Sequence, residues 1–167
     1  MTSPRTPTRS ELTVIPVPGP GAEDVLVAED GTVYTGTEDG SIFAISPDGE
    51  SIRRVANTLG RPLGLEWLPD GRLLVCDAHR GLLAIDLTTG DVELLANSVG
   101  GRAMRFCNNA AVLGDGTIYF SDSSTRWGVE DWKLDLIEDA RTGRLLRLRP
   151  GAPQWSVLRE WRCRPSR

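Results

Sequence analysis

Three Asp-Gly pairs, Asp30-Gly31, Asp70-Gly71 and Asp115-Gly116, set a common ruler for the side chains that have chemistry to offer. Seven residues before each aspartate stand Glu23, Leu63 and Asn108; seven after it stand Thr37, Asp77 and Asp122. A carboxylate and an amide share the first offset, and two carboxylates share the second. Oxygen donors brought together from separate stretches of chain suit a hard cation, and Ca²⁺ takes roughly six to eight of them at about 2.3–2.6 Å. A cation so held polarises a carbonyl and stabilises the oxyanion that forms as an ester or lactone opens. Asp77 in "CDAH" and Asp122 in "SDSS" have an equal structural reading, as turn aspartates bonded to nearby backbone. Glu23 and Asn108 have less structural excuse, because a polar group there is costly to bury without partners and Leu63 shows that the position accepts an apolar residue.

These residues need a scaffold that repeats, and the sequence has one. Aligned on the Asp-Gly pairs, "DVLVAEDGTVYTGTEDGSIFAISPDGESIRRVAN", "GLEWLPDGRLLVCDAHRGLLAIDLTTGDVELLAN" and "NAAVLGDGTIYFSDSS" with "TGRLLRLRPGAPQWSVLRE" are three copies at a period of about 40 residues. Each copy has a second glycine before an apolar run (Gly40, Gly81, Gly143) and a third turn at Asp48-Gly49, Thr89-Gly90 or Pro150-Gly151. Each unit therefore reads as four short antiparallel strands joined by tight turns. Such units in tandem predict an all-β fold, a β-propeller of four-stranded blades. A sandwich or barrel has no reason to repeat turn chemistry in register. On a blade, the Glu23 and Asn108 position opens the innermost strand beside the central channel, and the Asp77 and Asp122 loop lies at the same end. His79, the single histidine, falls in that mouth-facing loop, where an imidazole serves a substrate or a structural role. The third unit carries an insert, "STRWGVEDWKLDLIEDART", in which Val129, Trp132, Leu136 and Ala140 recur at helical spacing. A short amphipathic helix is expected there, with Trp132 anchoring it to the blade.

Bulk properties exclude several classes. A formal charge of −4 and no dense Lys/Arg stripe give no footprint for nucleic acid. No stretch reaches the roughly 18 apolar residues of a membrane span, and the first 20 residues lack a signal-peptide core. A cytoplasmic protein without membrane or nucleic-acid partners is the expectation. Three cysteines, Cys76, Cys107 and Cys163, without C-x-x-C spacing suggest buried or idle thiols.

The stretches "GAEDVLV", "GRPLGLEW", "CDAHRGLLAID", "FCNNAAV", "GTIYFSDSSTRW" and "TGRLLRLRPG" resemble the strictosidine-synthase-like branch of the six-bladed calcium-dependent phosphotriesterase superfamily, which also holds gluconolactonase/regucalcin and the paraoxonases. The resemblance runs from about residue 20 to residue 161. It implies a divalent metal ion, Ca²⁺ by default, with Glu23 in a "G-x-E" context and Asn108 as ligands. It also implies further Asn and Asp ligands from a fourth and a fifth blade, and a helix covering the pocket, with Trp127 as a candidate wall. The branch usually carries Asp after the asparagine ligand; Asn109 stands there, which weakens the case for a second, structural calcium. The implied activity is hydrolysis of a small lactone or ester. The alternatives are a non-catalytic binding or scaffold propeller and a strictosidine-synthase-type lyase.

The expected organisation is a leader over 1–20, a partial propeller over 21–161 with blades at about 21–60, 61–101 and 102–161, and a tail over 162–167. Three blades do not close a ring, and the tail "RCRPSR" breaks the repeat. The chain is expected to be a truncated copy of a protein of roughly 300 residues, a length that follows from six blades at this period. Two such chains are a candidate homodimer that completes six blades.

Overall fold

The computed structural model describes residues 12–151 and the backbone of 156–160; the first eleven residues and the tail lie outside the described residues. Three four-stranded antiparallel sheets follow one another along the chain. Blade 1 is β1 (Val25–Val27), β2 (Val33–Gly36), β3 (Ser41–Ile45) and β4 (Ile52–Asn57). Blade 2 is β5 (Pro62–Trp67), β6 (Leu73–Asp77), β7 (Gly81–Ile85) and β8 (Val92–Ala96). A two-residue hairpin, β9 (Ser98–Val99) and β10 (Arg102–Ala103), then leads into blade 3. That blade is β11 (Cys107–Val112), β12 (Ile118–Asp122), β13 (Arg144–Leu148) and β14 (Ser156–Glu160). In each blade the strands pair in sequence order, as hairpins joined by tight turns require.

The repeat persists in the irregularities. The pairing of third with fourth strand slips at the same place in every blade, between Ile42 and Phe43, Leu82 and Leu83, and Leu145 and Leu146. Inner strands carry a second bulge in blades 2 and 3. Pro62 pairs with Asp77 and Leu65 with Val75, while Cys107 pairs with Asp122 and Ala110 with Phe120. Leu63-Gly64 and Asn108-Asn109 are thus two residues set against one, an arrangement that leaves a residue outside the ladder and re-aims its side chain. Asparagine, a poor strand former, is tolerated there because the ladder does not use it.

Blade 2 is the filling of a sandwich, and its sequence shows why. All of β6 and β7 is buried. Leu73, Val75, Leu83 and Ile85 join Ile42 and Ala56 of blade 1 in one cluster; Leu74, Cys76, Leu82 and Ala84 join Cys107, Ile118, Phe120 and Leu146 of blade 3 in another. A strand covered on both faces loses polar alternation, which accounts for the unbroken runs "LLVC" and "LLAI". At the boundary with blade 1, Tyr34 meets Trp67 edge to face at 5.5 Å between ring centroids. Cys76 and Cys107 are buried and reduced, and the hydrogen bond from Cys76, followed by burial, pushes the Cys107 thiol well above its usual range.

The Asp-Gly turns work through both residues. Gly31, Gly71 and Gly116 hold φ of +85°, +85° and +80°, a region closed to most side chains. Asp30, Asp70 and Asp115 each accept the backbone N–H two residues on, from Thr32, Arg72 and Thr117. Those N–H groups hold Asp30 and Asp115 below the usual carboxylate range; for Asp70 the Arg72 guanidinium acts first and its N–H second. A carboxyl with a lowered folded-state pKa contributes stability that is complete above its unfolded value, about 3.9, and is lost as pH falls through the lower folded value. Urea melts at pH 6 and pH 3 are expected to show that loss. The Asp30→Asn/Asp70→Asn/Asp115→Asn variant keeps the acceptor oxygen without the titration, so its melts should differ less between the two pH values; an equal loss would absolve the turns.

The insert carries the expected short helix, ending before the apolar spacing does: a 3-10 turn at Val129–Asp131 runs into a six-residue helix, α1 (Trp132–Ile137). No residue of either is buried; Trp132 is 47% and Leu136 68% exposed. Asp139 and Arg141, at φ +49° and +51°, end the helix before the spacing does. Trp132 therefore does not anchor the helix; the Lys133 ammonium lies 5.7 Å from its ring centroid. Polar contacts hold the segment instead: Ser124 Oγ donates to Asp135 at 2.6 Å, and Trp127 Nε1 donates to Glu138 at 3.1 Å.

Candidate functional site

The pairing registers settle which residues are equivalent. Val25 opposite Thr35, Leu65 opposite Val75 and Ala110 opposite Phe120 are one position in three blades. Two residues earlier stand Glu23, Leu63 and Asn108, so the count from the turns and the observed register agree. Glu23 is exposed and lies just ahead of β1; Asn108 is half-buried in the β11 bulge. The Asn108 amide nitrogen donates to Ser123 Oγ at 3.0 Å, which fixes the amide and leaves Oδ1 without a hydrogen bond among the described residues. The Glu23 carboxylate likewise has no bonded partner among them.

Of the three residues next along, only Asn109 stands out in the sequence. Asp24, Gly64 and Asn109 are equivalent, and they stitch adjacent inner strands. Asp24 Oδ2 accepts the Leu65 N–H of β5 at 2.8 Å while Oδ1 accepts that of Val25 at 2.9 Å. A Cβ on Gly64 would lie 2.7 Å from the Asn108 carbonyl oxygen and 2.8 Å from the Asn109 Cα, so only glycine lets β5 and β11 approach this closely. Asn109 is exposed, and its Oδ1 is occupied by the Ala110 N–H at 2.7 Å. A carboxylate beside the inner-strand start, bonded across to the next blade, is the signal that marks Asp24, and it is visible only once the register is known.

Asp77 and Asp122 end the second strands of their blades and are fully buried. Asp77 Oδ1 gathers the backbone N–H groups of Arg61, His79 and Arg80 at 3.0, 3.0 and 2.9 Å. Asp122 Oδ1 takes those of Arg105 and Phe106, and its Oδ2 takes the Arg144 guanidinium at 2.6 Å. Both carboxylates cap the chain that enters their own blade. Thr37 closes the same position in blade 1, donating to Asp39 at 2.7 Å. The second oxygen of Asp77 is buried without a hydrogen-bond partner among the described residues, and a Cβ on Gly60 would lie 2.3 Å from the first.

Two further candidates lie in the loop after β6 and in the insert. His79, two residues past β6, is exposed, and its Nε2 lies 2.5 Å from Glu130 Oε1 of the insert. Trp127 is half-buried, with the Arg126 guanidinium 5.4 Å from its ring centroid. The hydrogen bond to its own backbone N–H, then that to His79, lowers the Glu130 pKa, so this carboxyl is ionised at neutral pH.

The donor set fits a hard cation in kind and is short in number. Glu23 and Asn108 supply uncommitted carboxylate and amide oxygens, the types Ca²⁺ takes, against the roughly six to eight it needs. Among the described residues no group of three or more His, Cys, Asp or Glu side chains is placed to hold a metal ion.

Comparison with known proteins gives the family from sequence and the fold from structure. The family described as "Strictosidine synthase-like, N-terminal" matches residues 10–45. The adipocyte plasma membrane-associated protein of Salmo salar is 36% identical over 146 residues, 77% of this chain and 35% of that protein. Protein STRICTOSIDINE SYNTHASE-LIKE 6 of Arabidopsis thaliana is 32% identical over 141 residues, covering 81% and 38%. Among solved structures, a Xanthomonas campestris gluconolactonase superposes with a TM-score of 0.66 at 18% identity, over 83% of this chain and 47% of that one. The chain spans about a third of the length of the curated relatives it matches and about half of the solved propeller. With three blades in register and these relatives, the chain belongs to the strictosidine-synthase-like family of β-propeller proteins.

Proposed function

We propose that these three blades carry the first part of the active site of a metal-dependent hydrolase that opens a small lactone or ester. One observation carries the reading: Glu23 and Asn108 occupy one register position at the start of two inner strands, each with an oxygen free of hydrogen bonds among the described residues. A bound divalent cation would act as a Lewis acid on the substrate carbonyl. The chain's own contribution is placement. Ser123 fixes the Asn108 amide within β11, Gly64 brings β11 against β5, and Asp24, the residue after Glu23, ties the entry of β1 to β5. In this reading the insert, with Trp127, would wall one side of the mouth. Further ligands would come from chain equivalent to the rest of the relatives' length or from a second copy, whose twofold partner would add another Glu23 and Asn108.

Hydrolysis of a panel of γ- and δ-lactones and aryl esters, with Ca²⁺ and with chelator, tests the reading. Turnover that requires Ca²⁺ and is lost in Glu23→Gln supports it; turnover that survives both chelator and that substitution rules it out.

A further inference from the structure

Cys76 and Cys107 meet across the boundary between blades 2 and 3, and the repeat measures how closely. In the register that aligns Val25, Leu65 and Ala110, Cys76 of β6 is equivalent to Gly36 of β2, and Cys107 of β11 to Pro62 of β5. The two boundaries are therefore two copies of one junction. At the first, a Cβ on Gly36 would lie 2.7 Å from both the Cβ and the Cγ of Pro62. At the second, both positions carry a thiol. Each is fully buried, both belong to the same apolar cluster, and the two side chains are hydrogen-bonded to one another. A disulfide needs Cβ atoms about 3.5–4.5 Å apart, and positions that would collide at the equivalent junction are within that reach. Packing alone does not call for sulfur on both sides, since glycine against proline fills the same junction one blade earlier.

We propose that Cys76 and Cys107 are a crosslink site between blades, which closes to a disulfide when the chain meets a peroxide. The proposal stands apart from the lactone or ester reading above. In the first step one thiol gives up its proton and its sulfur attacks a peroxide oxygen; the O–O bond breaks, leaving a sulfenic acid and water. The second sulfur then displaces the hydroxyl from the first, which leaves as water with the second thiol's proton. Two thiols and one hydrogen peroxide become one disulfide and two waters. Burial sets the pace. The hydrogen bond to Cys76 and then burial keep Cys107 protonated in the closed fold, so the pair reacts when blade 3 parts from blade 2 and bonds as they close again. The same packing then shields the bond from reductant. Asp77 and Asn108 follow the two cysteines directly, so the oxidised chain has the start of β11 fixed covalently against blade 2.

The test uses the full chain with Cys163→Ser, which leaves Cys76 and Cys107 as its thiols. Trypsin cuts after Arg72, Arg80, Arg105 and Arg126, so the bridge joins peptide 73–80 to peptide 106–126. After hydrogen peroxide, mass spectrometry without reductant should find that linked pair, lighter by two hydrogens than its separate peptides, in a chain that keeps the mass of a single copy. The bridge should form faster in sub-denaturing urea, which parts the blades. Urea melts of the oxidised chain should show a folded-to-unfolded ratio higher by about 10²-fold, the order for a closed loop of about 30 residues, and dithiothreitol added to the unfolded chain before refolding should abolish the gain. One protein in two redox states supplies this comparison, so it does not depend on a cysteine variant that folds. Thiols that survive peroxide in sub-denaturing urea overturn the inference, as do oxidation to sulfinic acid without the linked pair and bridges found only between chains. A bridged chain that melts earlier than the reduced one overturns it as well.

Discussion

Asp122→Ala is expected to cost about 3–5 kcal/mol, because it leaves the Arg144 guanidinium buried without its counter-charge. The pair is closed to water, with side-chain exposures of 3% for Arg144 and 0% for Asp122. The same substitution strips the acceptor from the Arg105 and Phe106 N–H groups that lead into β11. Domains commonly hold only about 5–15 kcal/mol in total, so the variant should lose much of its folded population. Asp77 offers an internal control, since Gly81 stands opposite it where Arg144 stands opposite Asp122. Asp77→Asn keeps an oxygen for the three N–H groups and breaks no ion pair, so its effect should stay within about 1 kcal/mol. Removing both charges of the pair, as Asp122→Asn with Arg144→Met, should be milder than Asp122→Ala alone. Denaturant melts read all three; equal losses for Asp77→Asn and Asp122→Ala would contradict the assignment.

The second large effect falls on Gly81. Its φ is +96°, and a Cβ there would lie 2.1 Å from the Ala96 carbonyl oxygen and 2.9 Å from the Asn97 Cα. Both obstacles are backbone and do not swing aside. Backbone strain of about 1–3 kcal/mol and a comparable packing penalty add, so Gly81→Ala is expected to rival the loss of the buried ion pair. Gly71 also has positive φ, at +85°, but a Cβ there meets nothing within 4 Å, so Gly71→Ala isolates the strain alone. Thermal melts of the two variants separate the effects, and a Gly81→Ala protein as stable as Gly71→Ala would show that the close approach carries no weight.

The same crowding explains which parts of the molecule could be read from the chain. Asp-Gly turns were legible because their chemistry is local: a glycine at positive φ and an aspartate bonded two residues on. The equivalence of Glu23 and Asn108 followed from counting, because the residues between them and the turns keep step in both blades. The role of Asp122 was not legible, since its partners, Phe106 and Arg144, are 16 and 22 residues away in opposite directions. Asp24 was missed because its second bond reaches 41 residues to Leu65. The short helix was legible and its exposure was not, because periodicity reports where apolar side chains fall and says nothing of whether a surface awaits them; Leu136 and Ile137 are 68% and 78% exposed.

The most direct test of the account is calcium binding by the chain itself, followed by isothermal titration calorimetry or terbium luminescence. Wild type should bind one class of divalent cation, and Glu23→Gln and Asn108→Leu should each weaken it by at least the roughly 10-fold that even groups behind a ligand shell command. Asn109→Ala, whose oxygen is already spent on Ala110, should bind as wild type does. Binding that ignores Glu23 and Asn108, or that fails with Asn109 instead, would contradict the placement of the metal at the start of the inner strands.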